Sequence, residues 1–208
     1  MRLPGRRHLE QEEVLAAAAE IAIELGMHAV SIAAVVERLG VQRKAVAALW
    51  PGDDALVAMT FSRIVSAELT EVQDDVLSQE SPVEQLAVLL GSLAEPVPHL
   101  DALWVESWSL GRRNRALGAA VRSEEDAWHT LIESVVRSGI ASGDFTADAP
   151  EEVATHLLAV VDGVNAYSLV GYDTDVDRLR LLHAVARTHL GATLPTEDQQ
   201  AESAPSAS

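Results

Sequence analysis

The chain has no cysteine among its 208 residues, only 4% aromatic residues and a single lysine, Lys44. The lack of cysteine excludes disulfides, thiolate nucleophiles and zinc sites built from cysteine. No apolar run approaches the roughly 18 residues that a transmembrane helix needs. The polar N-terminal segment lacks the apolar stretch of a secretion signal. We therefore expect a cytoplasmic protein with no membrane partner.

Segments with helical periodicity fill most of the chain. Apolar residues make up 48% of the sequence, and glycine or proline separates the periodic segments. This pattern predicts an all-α fold of about nine helices, with an N-terminal three-helix helix-turn-helix domain and a C-terminal helical bundle. Leu25 and Met59 are among the apolar residues expected to face the core. The predicted parts are a flexible arm over 1–8, the helix-turn-helix domain over 9–52, the bundle over 53–192 and a disordered tail over 193–208.

The net charge of −17 is distributed unevenly along the chain. Residues 1–58 contain six basic and eight acidic residues, whereas the remaining residues contain nine basic and 24 acidic ones. Repulsion from the acidic part weakens non-specific binding to a nucleic acid. Any DNA contact is therefore expected in the N-terminal part, where the basic surface is local.

Two predicted helices near the N-terminus are joined by a tight turn. Ser31 is a predicted N-cap, and Gly40 ends that helix before a short third helix over about Gln42–Leu49. Pro51-Gly52 breaks the third helix, and Asp53 is expected to cap a long fourth one. This arrangement indicates a helix-turn-helix.

A wider pattern surrounds this motif, formed by Ala18, Leu25, Gly26, Ser31, Ile32, Val35, Leu39, Gly40, Val41, Val46, Trp50 and Leu56. It resembles the N-terminal domain of TetR-family transcriptional regulators. Three later segments, WVESWSLGRRNRALGAAVR, LIESVVRSGIASGDF and LLAVVDGVNAY, resemble the C-terminal domain of that family, closest to the choline-responsive BetI-like group. The resemblance covers about residues 9–190. It implies that residues 53–192 bind a small-molecule effector and form a homodimer, and that the protein binds a double-stranded DNA operator.

The predicted DNA-reading residues are Gln42, Arg43 and Lys44, at the start of the recognition helix. Arginine or lysine suits guanine and glutamine suits adenine in the major groove. A solvated first turn is the alternative for these three residues. Ser31 is a candidate phosphate donor, although its N-cap role also explains it.

The arginines of the N-terminal arm, Arg2, Arg6 and Arg7, are candidates for minor-groove binding. The alternative is a solvated, mobile terminus.

Four features depart from what the resemblance implies for DNA contact. The family usually has tyrosine where Ala47 stands, lysine where Asp53 stands and, often, arginine where Ala33 stands. It also often has histidine or another polar residue near Ala48 and Leu49. Asp53 also introduces a negative charge where a phosphate would lie. The question that follows is whether the remaining basic groups suffice.

Aromatic and polar residues of the C-terminal domain are candidates for an effector site. Trp104 and Trp108 lie four residues apart and share a helical face, and the other candidates are Trp128, Asn165 and Tyr167. Rings with a few polar groups suit a mostly apolar ligand, including a quaternary ammonium. Ordinary core packing is the alternative for the tryptophans.

Two acids, Glu106 and Asp162, stand in otherwise apolar stretches. Each is predicted to orient a polar ligand, to form a hydrogen bond at an interface, or to be partly exposed. Asp162 is included among the effector-site residues.

The last two predicted helices carry an apolar set. In the family these helices pair with their symmetry mates into a four-helix interface. The predicted dimer residues are Val153, Leu157, Val161, Val164, Leu182 and Val185.

Other chemistry is weakly supported by the sequence. Asp173, Asp175 and Asp177 have the spacing of a calcium loop, but Arg178 stands where that loop needs glycine. We expect no metal, no cofactor and no catalytic residue. The predicted function is a repressor that an effector releases from a palindromic operator. The alternatives are a ligand- or protein-binding protein with a degenerate DNA head, and a small helical enzyme.

Overall fold

A computed structural model of the protein describes residues 9–172 and 175–191. That part of the chain is all-α, as predicted, and contains no strand. Besides a 3₁₀ turn at Met27–Ala29, its helices are α1 Gln11–Leu25, α2 Ile32–Leu39, α3 Arg43–Ala47, α4 Asp53–Leu77, α5 Pro82–Ala94, α6 Pro98–Gly111, α7 Arg115–Ser142, α8 Pro150–Ser168 and α9 Arg178–Leu190.

The chain divides into two compact units. The first, the head unit, contains residues up to Glu68 together with Val97–Glu125, and the second, the bundle unit, contains Leu69–Pro96 and the residues from Asp126 onward. The packing of the helix-turn-helix therefore includes α6 and parts of α4 and α7. The functional boundary at residue 52 stays a prediction.

Local signals explain the first three helices. Gly26 ends α1 at φ 92°, where its amide bonds to the carbonyl oxygen of Ala22. Ser31 caps α2 by accepting a hydrogen bond from the Ala34 amide at 3.1 Å. Gly40 ends α2 in the left-handed region, at φ 62° and ψ 32°, a conformation that glycine adopts without steric cost. The end of α1 and both ends of α2 therefore lie at the residues predicted from the sequence.

The recognition helix α3 is shorter than the predicted range of 42–49. It spans Arg43–Ala47, and the amides of Leu49 and Trp50 then bond to the carbonyl oxygen of Val46 at 3.0 and 3.1 Å. This tight turn carries Trp50 into the core, where it is 7% exposed. Pro51 follows immediately, so the helix ends early.

Three expectations for individual residues are wrong. Leu25 is 58% exposed because it is the last residue of α1, and Met59 is 48% exposed because it lies outside the face that Leu56 and Phe61 bury. Asp53 is the first residue of α4, and its side chain accepts a hydrogen bond from Ile32 instead of capping its own helix.

The bundle unit contains α5, α8 and α9 with the remaining parts of α4 and α7. Helix α9 packs against both α5 and α8. Capping explains where two of the helices begin: α5 has a capping box between Ser81 and Glu84, and Asp177 caps α9 by accepting from the Arg180 amide at 2.9 Å. Such caps satisfy amides that have no partner within the helix.

Among the described residues, no single helix is long and apolar enough to cross a membrane. Helices α5 and α6 pass such a test only when they are taken together across the break between them. Arg2, Arg6 and Arg7 of the predicted arm, Asp173, and the predicted tail over 193–208 lie outside the described residues.

We predict that Gly139→Ala destabilises the protein. A Cβ atom at Gly139, in α7, would lie 2.1 Å from Cδ2 of Phe145, whose ring is fully buried in the bundle unit. The clash is expected to cost about 1–3 kcal/mol of unfolding free energy. Urea unfolding measures this cost.

Gly91→Ala is the matched control, because it is also a helical glycine of the bundle unit but has nothing within 4 Å of the added Cβ. It is expected to stabilise the protein by about 0.5–1 kcal/mol. Equal effects of the two substitutions would contradict the packing of Phe145 on α7.

Candidate functional site

The start of the recognition helix presents its side chains to solvent. Gln42, Arg43, Lys44 and Ala47 are exposed, whereas Val46 is fully buried and anchors α3 to the core. Arg43 and Lys44 make no ion pair within the part of the chain that the structure describes. The helix therefore offers two free cations and one amide on the face that a groove would meet.

The N-terminus of α2 is held by two side chains. Ser31 accepts from the Ala34 amide, and Asp53 Oδ1 accepts from the Ile32 amide at 2.8 Å. In helix-turn-helix proteins this helix crosses the DNA backbone, and free amides at a helix N-terminus bind phosphates. The Asp53 carboxylate already accepts the hydrogen bond from the Ile32 amide, so it occupies a position that a phosphate oxygen would otherwise take.

The side chain of Arg38 is paired with two acids of helix α1. Its guanidinium donates to Glu24 Oε1 at 3.0 Å and to Glu20 Oε2 at 3.2 Å. The hydrogen bonds from Arg38 lower the pKa of Glu24, and those same bonds raise the pKa of Arg38. Arg63 pairs with Glu12 at 2.6 Å in the same unit. Neither arginine is a free cation for DNA.

Glu106 connects α6 to the turn that precedes α2. Its Oε2 accepts from the Met27 amide at 2.7 Å and lies 3.7 Å from His28 Nδ1. A Cβ atom at Gly26 would meet both carboxylate oxygens at 2.8 Å, so this approach requires glycine there. Of the roles considered for Glu106, the structure supports two: its side chain is 35% exposed, and it accepts a hydrogen bond from the 3₁₀ turn.

Trp104 and Trp108 lie together on α6 in the head unit. Their ring centroids are 6.4 Å apart, and Trp104 meets the buried ring of Phe61 edge-on at 5.0 Å. The Trp108 indole donates to Glu125 Oε1 at 3.2 Å. Both tryptophans are half-buried and pack against the hydrophobic core. Phe61 was not among the residues predicted from the sequence, because no other aromatic residue lies near it on α4 to indicate an aromatic cluster.

The remaining effector candidates belong to the bundle unit. Trp128 and Asn165 are buried, and Asp162 is half-buried. The Asn165 side-chain oxygen accepts from Arg178 at 2.8 Å, beside a small cleft lined by Val161, Val164 and Leu182 among others. Tyr167 is 54% exposed and packs against Tyr172. A shared effector site for these residues stays a prediction.

The predicted dimer residues separate into two groups. Val153, Leu157 and Leu182 are at most 1% exposed, so they build the core of the bundle unit and add little to an interface. The other three, Val161, Val164 and Val185, are half-buried. The dimer prediction therefore rests on the second group.

No group of three or more metal-ligating side chains occurs within residues 9–172 and 175–191. Two residues of the segment considered for calcium have a different role: Asp177 caps α9, and Arg178 is its first residue.

Comparison with protein families identifies both parts of the chain. Residues 14–59 match the model for bacterial regulatory proteins of the tetR family, and residues 87–195 match that for the C-terminal domain of BetI-type transcriptional repressors. The chain belongs to the TetR family of transcriptional regulators. The resemblance expected from the sequence is thereby confirmed.

Solved structures confirm the fold of this TetR-family chain. A transcriptional regulator from Saccharomonospora viridis in complex with choline is 20% identical, with a TM-score of 0.73, covering 86% of this chain and 96% of its own. A TetR regulator from Haloarcula marismortui is 21% identical, with a TM-score of 0.74 and coverages of 86% and 97%. FadR from Bacillus subtilis, in complex with stearoyl-CoA, is 16% identical, with a TM-score of 0.64 and coverages of 85% and 95%. A search of curated protein sequences finds no match.

We predict that the Asp53 side chain has opposite effects on folding and on DNA binding. Asp53→Ala removes the acceptor of the Ile32 amide and is expected to cost about 0.5–2 kcal/mol of unfolding free energy. Asp53→Asn keeps an acceptor oxygen, so it retains most of the stability. Both remove a negative charge from the N-terminus of α2 and are expected to tighten DNA binding at low salt.

Urea unfolding and fluorescence anisotropy with duplex DNA measure the two effects. The matched control is Asp74→Asn, which removes an exposed acid of α4 that lies in the bundle unit. The prediction fails if Asp53→Asn changes DNA affinity no more than this control does.

Proposed function

We propose that this regulator is a homodimeric repressor that binds a palindromic operator and leaves it when a small-molecule effector binds. The observation that carries the proposal is the exposed start of α3, where Gln42, Arg43 and Lys44 have no competing partner in the described chain. A two-fold dimer places two such helices about one DNA turn, roughly 34 Å, apart. We propose the cytoplasm as its site of action.

The route from effector to DNA runs through α6 in this proposal. The same helix carries Trp104 and Trp108 on its aromatic face and, through Glu106, holds the Met27 amide of the turn before α2. A ligand that displaces α6 therefore shifts the entry of α2. Such a shift alters the position of both recognition helices in a dimer and lowers operator affinity.

The effector proposed is a small, mostly apolar molecule recognised by aromatic rings. The half-buried pair Trp104 and Trp108, with Phe61 behind it, provides the rings, and Glu125 provides a carboxylate beside the Trp108 indole. A carboxylate and tryptophan faces suit a cationic group. The regulator from Saccharomonospora viridis was solved with choline and the Bacillus subtilis one with stearoyl-CoA, so quaternary ammonium and acyl compounds are the first to test.

A second candidate function is a ligand- or protein-binding regulator whose DNA head is degenerate. Ala47 and Asp53 favour it, because neither supplies the phosphate contact usual in the family, and Asp53 is held at the N-terminus of α2. Under this alternative, selection from random duplexes yields no specific sequence.

We predict that Arg43→Ala and Lys44→Ala each reduce specific binding by about 1–3 kcal/mol and relax preference at one base pair. The operator is first selected from a pool of random duplexes with the wild-type protein. Gel shifts with that operator and with variants at each base pair then measure affinity and preference. Arg63→Ala is the control, because it removes an arginine of the same unit that is paired with Glu12.

Unchanged preference in both variants would show that these side chains are solvated surface and do not read bases. No selected sequence at low salt would contradict the repressor proposal itself and favour the degenerate head.

We predict that an effector raises the melting temperature of the wild-type protein and weakens operator binding at the same concentration. Choline, larger quaternary ammonium compounds and acyl-CoA are the test compounds, and a ligand at about 100 times its Kd adds about 2.7 kcal/mol of stability. Trp108→Phe keeps a ring but loses the bond to Glu125, so the thermal shift should shrink. Tyr172→Phe, at an exposed tyrosine of the bundle unit, is the control. Equal shifts in all three proteins would place the ligand elsewhere.

A further inference from the structure

The basic residues of the head unit are not equally available. Among its described residues, Arg38 and Arg63 are paired with acids. The cations that make no ion pair there belong to the start of α3, to the junction of α6 with α7 and, in one case, to α7 beyond that junction. They are Arg43, Lys44, Arg112, Arg113, Arg115 and Arg122, and all six are exposed.

The junction of α6 with α7, residues 111–115 with the sequence GRRNR, is built rigidly. Gly111 and Gly118 bring the two helices into backbone contact, since a Cβ atom on Gly118 would lie 2.8 Å from the carbonyl oxygen of Gly111. Asn114 caps α7 by accepting from the Leu117 amide at 3.0 Å. We call this segment the arginine corner.

The arginine corner is attached to the start of α4. The side chain of Asn114 donates to the Asp54 carbonyl oxygen at 3.1 Å. The preceding residue, Asp53, is the one that accepts from Ile32 at the N-terminus of α2. Arg113 and His28 line one open groove with Asp54, next to the turn that leads into Ser31. Two successive hydrogen bonds thus join the corner to the helix that crosses the DNA backbone in a helix-turn-helix.

We propose that the arginine corner binds backbone phosphates of the operator, with Arg112 and Arg113 as the contacting side chains. This inference rests on the proposed DNA binding and extends the interface beyond the helix-turn-helix. Guanidinium groups suit phosphate oxygens by charge and by geometry. The corner lies beside Asp53, which stands where the family usually has a lysine. The positive charges of Arg112 and Arg113 therefore offset the negative charge of the Asp53 carboxylate.

A DNA phosphate is the partner that the surroundings favour. The groove beside Arg113 is open, and Arg112 and Arg113 are both exposed, so the two guanidinium groups outnumber the one carboxylate of Asp54 that lines the groove. This suits an extended polyanion meeting a surface. The acids nearest in sequence on α7, Glu124 and Glu125, are half-buried, and Glu125 already accepts from Trp108. Phosphate contacts carry no sequence information, so this surface would add affinity without changing base preference.

The test compares Arg112→Ala/Arg113→Ala with the wild-type dimer on the selected operator and on a scrambled duplex, over 50–300 mM salt. We expect both affinities to fall by a similar factor, on the order of tenfold near 0.15 M salt, and the slope of log K against log salt to fall by about 1.8 for each bound protomer. Base preference should stay unchanged. Arg112→Lys/Arg113→Lys keeps both charges and should keep most of the slope.

The charge-matched control is Arg180→Ala/Arg187→Ala, which removes two exposed arginines of α9 in the bundle unit. Its salt slope should equal that of the wild type, and circular dichroism checks that all variants fold. An unchanged salt slope in Arg112→Ala/Arg113→Ala overturns the proposal. The proposal is also overturned if this variant loses its effector response or its dimerisation while its DNA binding stays intact. Failure of the wild type to select any operator would instead overturn the proposed function.

Discussion

The segment that leads into α2 is held at both ends by carboxylates from other helices. Glu106 of α6 accepts from the Met27 amide at 2.7 Å, and Asp53 of α4 accepts from the Ile32 amide at 2.8 Å. Unpaired backbone amides are costly when they are removed from water, so each carboxylate satisfies a donor and positions a helix. The DNA-reading motif is therefore supported by the body of the head unit as well as by its own core.

This support also shapes the electrostatics of DNA binding. In a chain of net charge −17, the carboxylates that organise the head bring negative charge to the side that would meet DNA. The positive charge of Arg38 is paired with the carboxylates of Glu20 and Glu24. Affinity must then come from the few cations left free, because phosphate neutralisation provides most non-specific binding. The arginine corner would supply two such cations at a point that the helix-turn-helix leaves acidic.

In the proposed mechanism, the same contacts join ligand recognition to DNA reading. Trp104, Glu106 and Trp108 occupy a little more than one turn of α6, so movement of this helix affects the aromatic pair and the Met27 contact together. A hydrogen bond between a carboxylate and an amide depends steeply on geometry. A small displacement of α6 is therefore sufficient, in the proposed mechanism, to release the turn before α2.

The sequence by itself determined the helices, the helix-turn-helix and the family, because apolar periodicity, glycine ends and the cap at Ser31 act within a few residues. It also placed Arg43 and Lys44 on the exposed start of α3. Only the tertiary structure decided the partners of Asp53, Glu106 and Asn114, since these hydrogen bonds join residues 21 to 79 positions apart. Such pairings depend on how helices pack, and no local pattern specifies which amide a carboxylate will meet.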